Sequence, residues 1–275
     1  MLSAYIHIEK TGGQSLNFML RNSFGLQHCD VLSINKSVDY FDYQEYLGMK
    51  KFFPNLKSIC GHMVKPYSDI YEKLDREIFY FTFLRDPVQR MISHYQYLVT
   101  HHPEYASPFP EWIEDVDQHN LMTKKIAGED SVDKAIAIIN ERVGYVGIFE
   151  EYNLSMQMLD FYLPHKLNMY AVRKNNPKDN VARKAIVENP EWMDLVIKSN
   201  INDRKLYDYA KDIVFPRQKE KYESAQPVTH KIKKSTLQYW KNRIHRNTIY
   251  KGYVLKNCIT KNNEYKIPWQ MVGLI

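Results

Sequence analysis

The run Ile78-Phe79-Tyr80-Phe81-Thr82-Phe83-Leu84 constrains the fold more than any other part of this chain. It is apolar almost without alternation. A strand with one wet face alternates; a strand covered on both faces does not, so this run predicts a central strand of a parallel sheet. Asp86-Pro87 then starts a helix, with Pro in its first turn and Asp86 placed to cap it. Met91, Ile92, Tyr95 and Leu98 continue that helix at intervals of three and four.

Other segments alternate in type along the chain. Residues 3–8 predict a strand ended by Gly12-Gly13, and Leu16, Phe18, Met19 and Leu20 a helix that stops at Gly25. Residues 57–61 are a weaker strand candidate. Further on, 131–141, 153–163 and 202–214 read as helices, and 145–149 and 167–172 as strands. Strands alternating with helices predict an α/β fold: a central parallel sheet flanked by helices.

Charge divides the chain unevenly. Of 38 Lys+Arg and 32 Asp+Glu in 275 residues, 13 basic and 3 acidic lie in 216–275, leaving 25 and 29 in 1–215. The net +6 is therefore a +10 tail on a −4 body. This predicts a domain over 1–215 and a basic, mostly helical C-terminal extension over 216–275 packed on it. The tail interleaves its charges with Tyr222, Tyr239, Trp240, Tyr250, Tyr253, Tyr265 and Trp269. Leu237, Trp240 and Ile244 share helical spacing and are expected to dock. A nucleic-acid partner would need a recognisable module, and none appears.

Cys29, Cys60 and Cys258 are odd in number and widely spaced, which suggests neither a disulfide framework nor a structural zinc site. No apolar run reaches the roughly 18 residues of a membrane span. With Met1 as the native start, a cytoplasmic protein is expected.

Glycine is scarce, yet two adjacent glycines follow the first strand. Backbone N–H groups in such a loop can approach an anion closely, with the positive end of a helix behind them. Lys10, Thr11, Gly12, Gly13, Gln14 and Ser15 thus form a candidate phosphate cradle, or a plain strand–helix turn. The lysine precedes the glycines, so the chain lacks the GxxxxGK[ST] pattern of NTPases. Arg85 stands at the carboxyl end of the central strand, and Ser93 about two turns into the next helix. A strand–turn–helix can bring this guanidinium and hydroxyl to one phosphate.

His7-Ile8-Glu9-Lys10-Thr11-Gly12-Gly13-Gln14-Ser15 resembles the H-I-x-K-T-G-G-x-S loop of sulfotransferases that use 3′-phosphoadenosine-5′-phosphosulfate (PAPS). The resemblance is to the carbohydrate branch, which includes heparan sulfate 2-O- and 6-O-sulfotransferases. Phe83 to Pro87, with Arg90, Ser93 and Tyr95, resembles that family's F-x-R-D-P-x-x-R-x-x-S-x-Y segment. Asn120-Leu121-Met122-Thr123, Ala127-Gly128 and Val146-Gly147-Ile148-Phe149-Glu150 resemble further stretches, and the likeness runs over about residues 4–214. Glu9 departs from the family's usual Pro or Gln; a carboxylate beside an anion site is expected to point away.

The resemblance implies a P-loop-like sulfotransferase fold and PAPS as co-substrate. Lys10 to Ser15 would hold the 5′-phosphosulfate, and Arg85 with Ser93 the 3′-phosphate. Lys10 would also stabilise charge on the leaving oxygen. Gly61-His62-Met63 resembles the Gly-His segment that carries the general base in 2-O-sulfotransferase relatives, which makes His62 the candidate base. No metal is needed where Lys and Arg neutralise the donor. Asn120 and Thr123 line the acceptor side or cap a helix; Arg173, Lys174, Arg183 and Lys184 reach a ligand or are solvated. The acceptor expected is a hydroxyl of a carbohydrate or glycan. The rivals are a nucleotide-dependent kinase and a non-catalytic nucleotide- or glycan-binding protein on the same scaffold.

Overall fold

A computed structural model describes residues 1–31, 38–168, 180–227, 240, 244 and 246–260. Among the described residues, five parallel strands form one sheet: β1 (Leu2–Ile6), β2 (His28–Asp30), β3 (Ser58–Gly61), β4 (Ile78–Leu84) and β5 (Val143–Ile148), in the order β2-β3-β1-β4-β5. β4 has the bounds the sequence predicts and lies between β1 and β5, buried at every position except Phe79. Burial on both faces explains its lack of alternation.

Helices connect the strands. Those before β4 are α1 (Gly13–Phe24), α2 (Tyr43–Lys50) and α3 (Ile70–Lys73). Between β4 and β5 come α4 (Pro87–His101), α5 (Phe109–Trp112), α6 (Leu121–Ala127) and α7 (Val132–Arg142). After β5 follow α8 (Tyr152–Tyr162), α9 (Val181–Glu188), α10 (Pro190–Lys198), α11 (Ile201–Tyr209), α12 (Phe215–Ser224) and α13 (Lys251–Thr260). Asp86 caps α4 as expected, accepting from the Gln89 N–H at 2.9 Å, and Gly25 ends α1 with φ 50°. The 167–172 strand is not seen: Leu167 and Asn168 belong to no element, and 169–172 lie outside the described residues.

The core spans both faces of the sheet, and a second cluster of Met91, Ile92, Tyr95, Phe109, Trp112, Ile186 and Val196 joins α4 to α5, α9 and α10. Tyr250, Tyr253 and Val254 of the tail are buried in the main core. Tyr253 meets the rings of Phe52 and Phe53 at 5.5 and 5.8 Å. The docking stripe is thus not the expected one: Trp240 and Ile244 are exposed, and Leu237 lies outside the described residues. No described helix is long and apolar enough to cross a membrane.

The register places the site. Ile6 of β1 pairs with Gly61 of β3 on one side and Thr82 of β4 on the other. Parallel strands in this register deliver the segments after Ile6, Gly61 and Leu84 to one edge. The connection from β1 leaves toward β2 and that from β4 toward β5, so a crevice opens between them at their carboxyl ends.

Candidate active site

The loop after β1 is built for close approach. Lys10 and Gly12 take left-handed φ values of 68° and 90°. A Cβ on Gly12 would lie 2.9 Å from the Tyr152 ring and 3.0 Å from that of Phe149; one on Gly13 would run into the His7 ring. Gly12 caps α1 with no side-chain hydrogen bond, and no acidic residue occupies the first turn. The first N–H groups of a twelve-residue helix are therefore left for an anion, with the helix dipole behind them.

Side chains in the loop divide their tasks. The Thr11 hydroxyl is buried and donates to the Ile8 carbonyl at 2.9 Å, so it braces the loop where a donor to the ligand was expected. Gln14 is exposed and Ser15 half-buried at the start of α1. The Lys10 ammonium rests 4.2 Å from the centroid of the Tyr97 ring on α4. Burial, with Arg85 nearby, lowers its pKa to about 8.

Arg85 clamps the loop from β4. Its Nη1 donates to the Lys10 carbonyl at 3.0 Å, and its guanidinium carbon lies 4.5 Å from the Phe149 centroid. Its Nε is buried without a partner. Ser93 is half-buried on α4. Beyond it, Arg183 of α9 donates to Gln89 at 2.6 Å across the same helix.

His62 closes the other side. Its Nδ1 lies 2.8 Å from the His7 carbonyl and 3.3 Å from Glu9 Oε1, and its ring stacks on His7 at 4.2 Å. It remains 44% exposed, so the ring can meet an incoming molecule. Burial and the neighbouring His62 lower the pKa of His7 to about 3, which keeps it a neutral platform. Glu9 faces His62 and Lys125, whose Nζ lies 3.1 Å from Oε1. Burial opposes ionisation of Glu9, but His62 and Lys125 outweigh it and hold its pKa at about 2. The expectation that Glu9 avoids the anion gave no hint of these partners. Lys125 lies 116 residues away on α6, and no local pattern links the two.

Other candidates are structural. Asn120, in the left-handed region at φ 46°, accepts from the N–H groups of Asn202 and Asp203 and donates to Asp130. The Thr123 N–H donates to buried Asp203 at 2.7 Å. Both join α6 to α11. His94 packs edge-on against Trp112, and burial followed by Arg90 lowers its pKa to about 4. Lys184 pairs with Glu188 on α9, while Arg173 and Lys174 lie outside the described residues. Among the described residues, His28, Asp30 and Cys60 present ligand atoms within 4.8 Å of one another. Asp30 is already engaged by Arg21 at 2.7 Å and by His28 at 3.3 Å.

No curated protein matches this chain. Residues 4–131 match the family model described as Sulfotransferase family. That span contains the loop after β1, His62, Arg85, Ser93 and Lys125, so the charged groups gathered at the crevice lie in the part of the chain that is similar to sulfotransferases.

Proposed function

We propose that the protein transfers a sulfuryl group from PAPS to a hydroxyl of a carbohydrate or glycan acceptor, with His62 as general base. The observation that carries this reading is the bracketing of one anion-ready loop. Arg85 holds its Lys10 carbonyl from one side, and His62 holds its His7 carbonyl from the other.

In this reading the phosphosulfate lies on the N–H groups at the start of α1, and Arg85 with Ser93 takes the 3′-phosphate. The acceptor oxygen attacks sulfur as the bond from sulfur to the bridging oxygen breaks. The acceptor proton passes to His62, and 3′-phosphoadenosine-5′-phosphate leaves with the bond's electron pair. Negative charge grows on the bridging oxygen, where Lys10 is the near cation. By analogy with phosphoryl transfer, positioning and charge stabilisation do most of the work. Lys and Arg carry the donor's charge without a metal.

The packing of an extension over 216–275 on a catalytic domain over 1–215 is supported by the burial of Tyr250, Tyr253 and Val254 in the main core, while α12 (Phe215–Ser224) runs across the 215/216 boundary without a break. Free thiols at Cys29 and Cys60 suit the cytoplasm.

The test is turnover of PAPS against a panel of glycans, read by mass spectrometry of the product. The wild type is expected to add 80 Da, one SO₃ unit, to a hydroxyl, with His62→Ala reduced about 10²–10⁴-fold. Phosphoryl transfer from ATP would favour a kinase instead, and donor binding without transfer to any acceptor a binding protein.

A further inference from the structure

We infer that Glu9 is the positioning residue for His62, fixing the hydrogen on Nδ1 so that Nε2 is the basic atom. This rests on the reading of His62 as base.

The argument begins with the two atoms that face Nδ1. The His7 carbonyl oxygen at 2.8 Å is the hydrogen-bond partner of Nδ1, and Glu9 Oε1 at 3.3 Å is an ion-pair contact that places negative charge on the same side. A ring nitrogen that faces a carbonyl oxygen with a carboxylate beside it carries the hydrogen, because a lone pair there would meet the carbonyl's lone pair and the carboxylate's charge. In the neutral ring the remaining lone pair is then on Nε2. The His7 ring stacked at 4.2 Å restricts tilting, and Lys125 at 3.1 Å fixes Glu9. Once Nε2 has taken the acceptor proton, the imidazolium lies beside a carboxylate that stays ionised. Ser–His–Asp hydrolases use a carboxylate behind a histidine for the same two tasks.

Glu9 also precedes Lys10 directly in the chain. The residue that orients the base and the residue that meets the leaving oxygen are therefore adjacent links of one loop. A neutral residue at position 9 would leave the anion cradle intact and deprive His62 of its counter-charge.

Glu9→Gln in the full-length protein separates this role from a brace. It keeps the size of the side chain and an acceptor oxygen but removes the charge. The expected result is a fall in kcat of about 10²-fold at unchanged acceptor KM. Affinity for 3′-phosphoadenosine-5′-phosphate should stay within about threefold, because the N–H groups of α1 are untouched. Long-range ¹H–¹⁵N spectra of the imidazole supply a readout that needs no turnover. Neutral His62 is expected to carry its hydrogen on Nδ1 in the wild type, with part of that population moving to Nε2 in Glu9→Gln. An Nε2–H tautomer in the wild type overturns the inference, as does an unchanged kcat in a background where His62→Ala is inactive. Parallel loss of nucleotide affinity and kcat/KM with kcat preserved would make Glu9 a loop brace and also overturn it. Full activity of His62→Ala would refute the base reading itself, whatever the tautomer.

Discussion

Arg85 reaches from the end of β4 to the carbonyl of Lys10, with 3.0 Å between Nη1 and the oxygen. One hydrogen bond thus ties the strongest strand of the sheet to the loop that follows β1. It orients a guanidinium whose Nε has no protein partner and whose face lies on Phe149. With Nε buried, a phosphate in the crevice would meet the terminal N–H groups of this fork.

Arg85→Lys keeps the charge and loses the fork. Affinity for 3′-phosphoadenosine-5′-phosphate should fall about 10–100-fold, and affinity for adenosine-5′-phosphate less than about threefold. Titration calorimetry measures both. Equal losses would mean that Arg85 supports the loop and does not read the 3′-phosphate.

Lys10 has a pKa of about 8, lowered by burial and by Arg85. A cation is needed to meet the leaving oxygen, so kcat/KM for the donor should decline as pH rises through about 8. Lys10→Arg keeps the charge at every accessible pH and should remove that limb, at some cost in rate. Lys65, also lowered to about 8 by burial and by Lys125, supplies the control: Lys65→Arg should leave the limb in place. Persistence of the limb in Lys10→Arg would assign it to another group.

Two glycine substitutions should part in sign. Gly48 sits in α2 with nothing within 4 Å of an added Cβ, so Gly48→Ala should stabilise by about 0.5–1 kcal/mol. Gly13→Ala would drive a methyl into the half-buried His7 ring beneath His62. It should destabilise by about 1–3 kcal/mol and abolish nucleotide binding. Urea unfolding with and without nucleotide checks both. Equal behaviour would show that the loop is not held as described.

Asp30 connects Arg21 to His28 and receives the Cys60 thiol at 3.4 Å. Burial opposes its ionisation, but His28 and Arg21 overcome this and hold the carboxyl far below the ordinary range. A depressed carboxyl pKa stabilises the fold above the unfolded value, about 3.9, and that stability is lost as pH falls through the folded value. Asp30→Asn should cost about 3 kcal/mol at pH 7. It should also flatten the decline in stability that the wild type shows below about pH 4. Unfolding free energies measured at pH 7, 4 and 3 test this, and an undiminished acid decline would contradict it.

What was legible in the sequence follows burial. β4 is apolar throughout because both faces are covered, and its bounds could be read directly. β2 could not: it is three residues long, at the sheet edge, and two of them, His28 and Asp30, are polar groups satisfied by Ser58 of the neighbouring strand and Arg21 of α1. α2, α9 and α10 escaped notice because short helices of 8–9 residues give the periodic signal little length. At the site, Lys10, His62 and Arg85 were each found beside a strand end, and the register of Ile6 with Gly61 and Thr82 brings those ends together. Thr11 was expected to face the ligand, but its hydroxyl is consumed within its own turn by Ile8. Glu9 with Lys125, and Lys10 with Tyr97, are pairings made by tertiary packing, which no spacing rule encodes.

The central claim is that this crevice selects a 3′-phosphorylated sulfate donor, and calorimetry on the wild-type protein addresses it most directly. 3′-Phosphoadenosine-5′-phosphate should bind at least about 10²-fold more tightly than adenosine-5′-phosphate or ATP, without added Mg²⁺, because in the proposed reading Arg85 would offer a charge-assisted fork to the extra phosphate. Equal affinities, or a preference for Mg²⁺-ATP, would contradict the account.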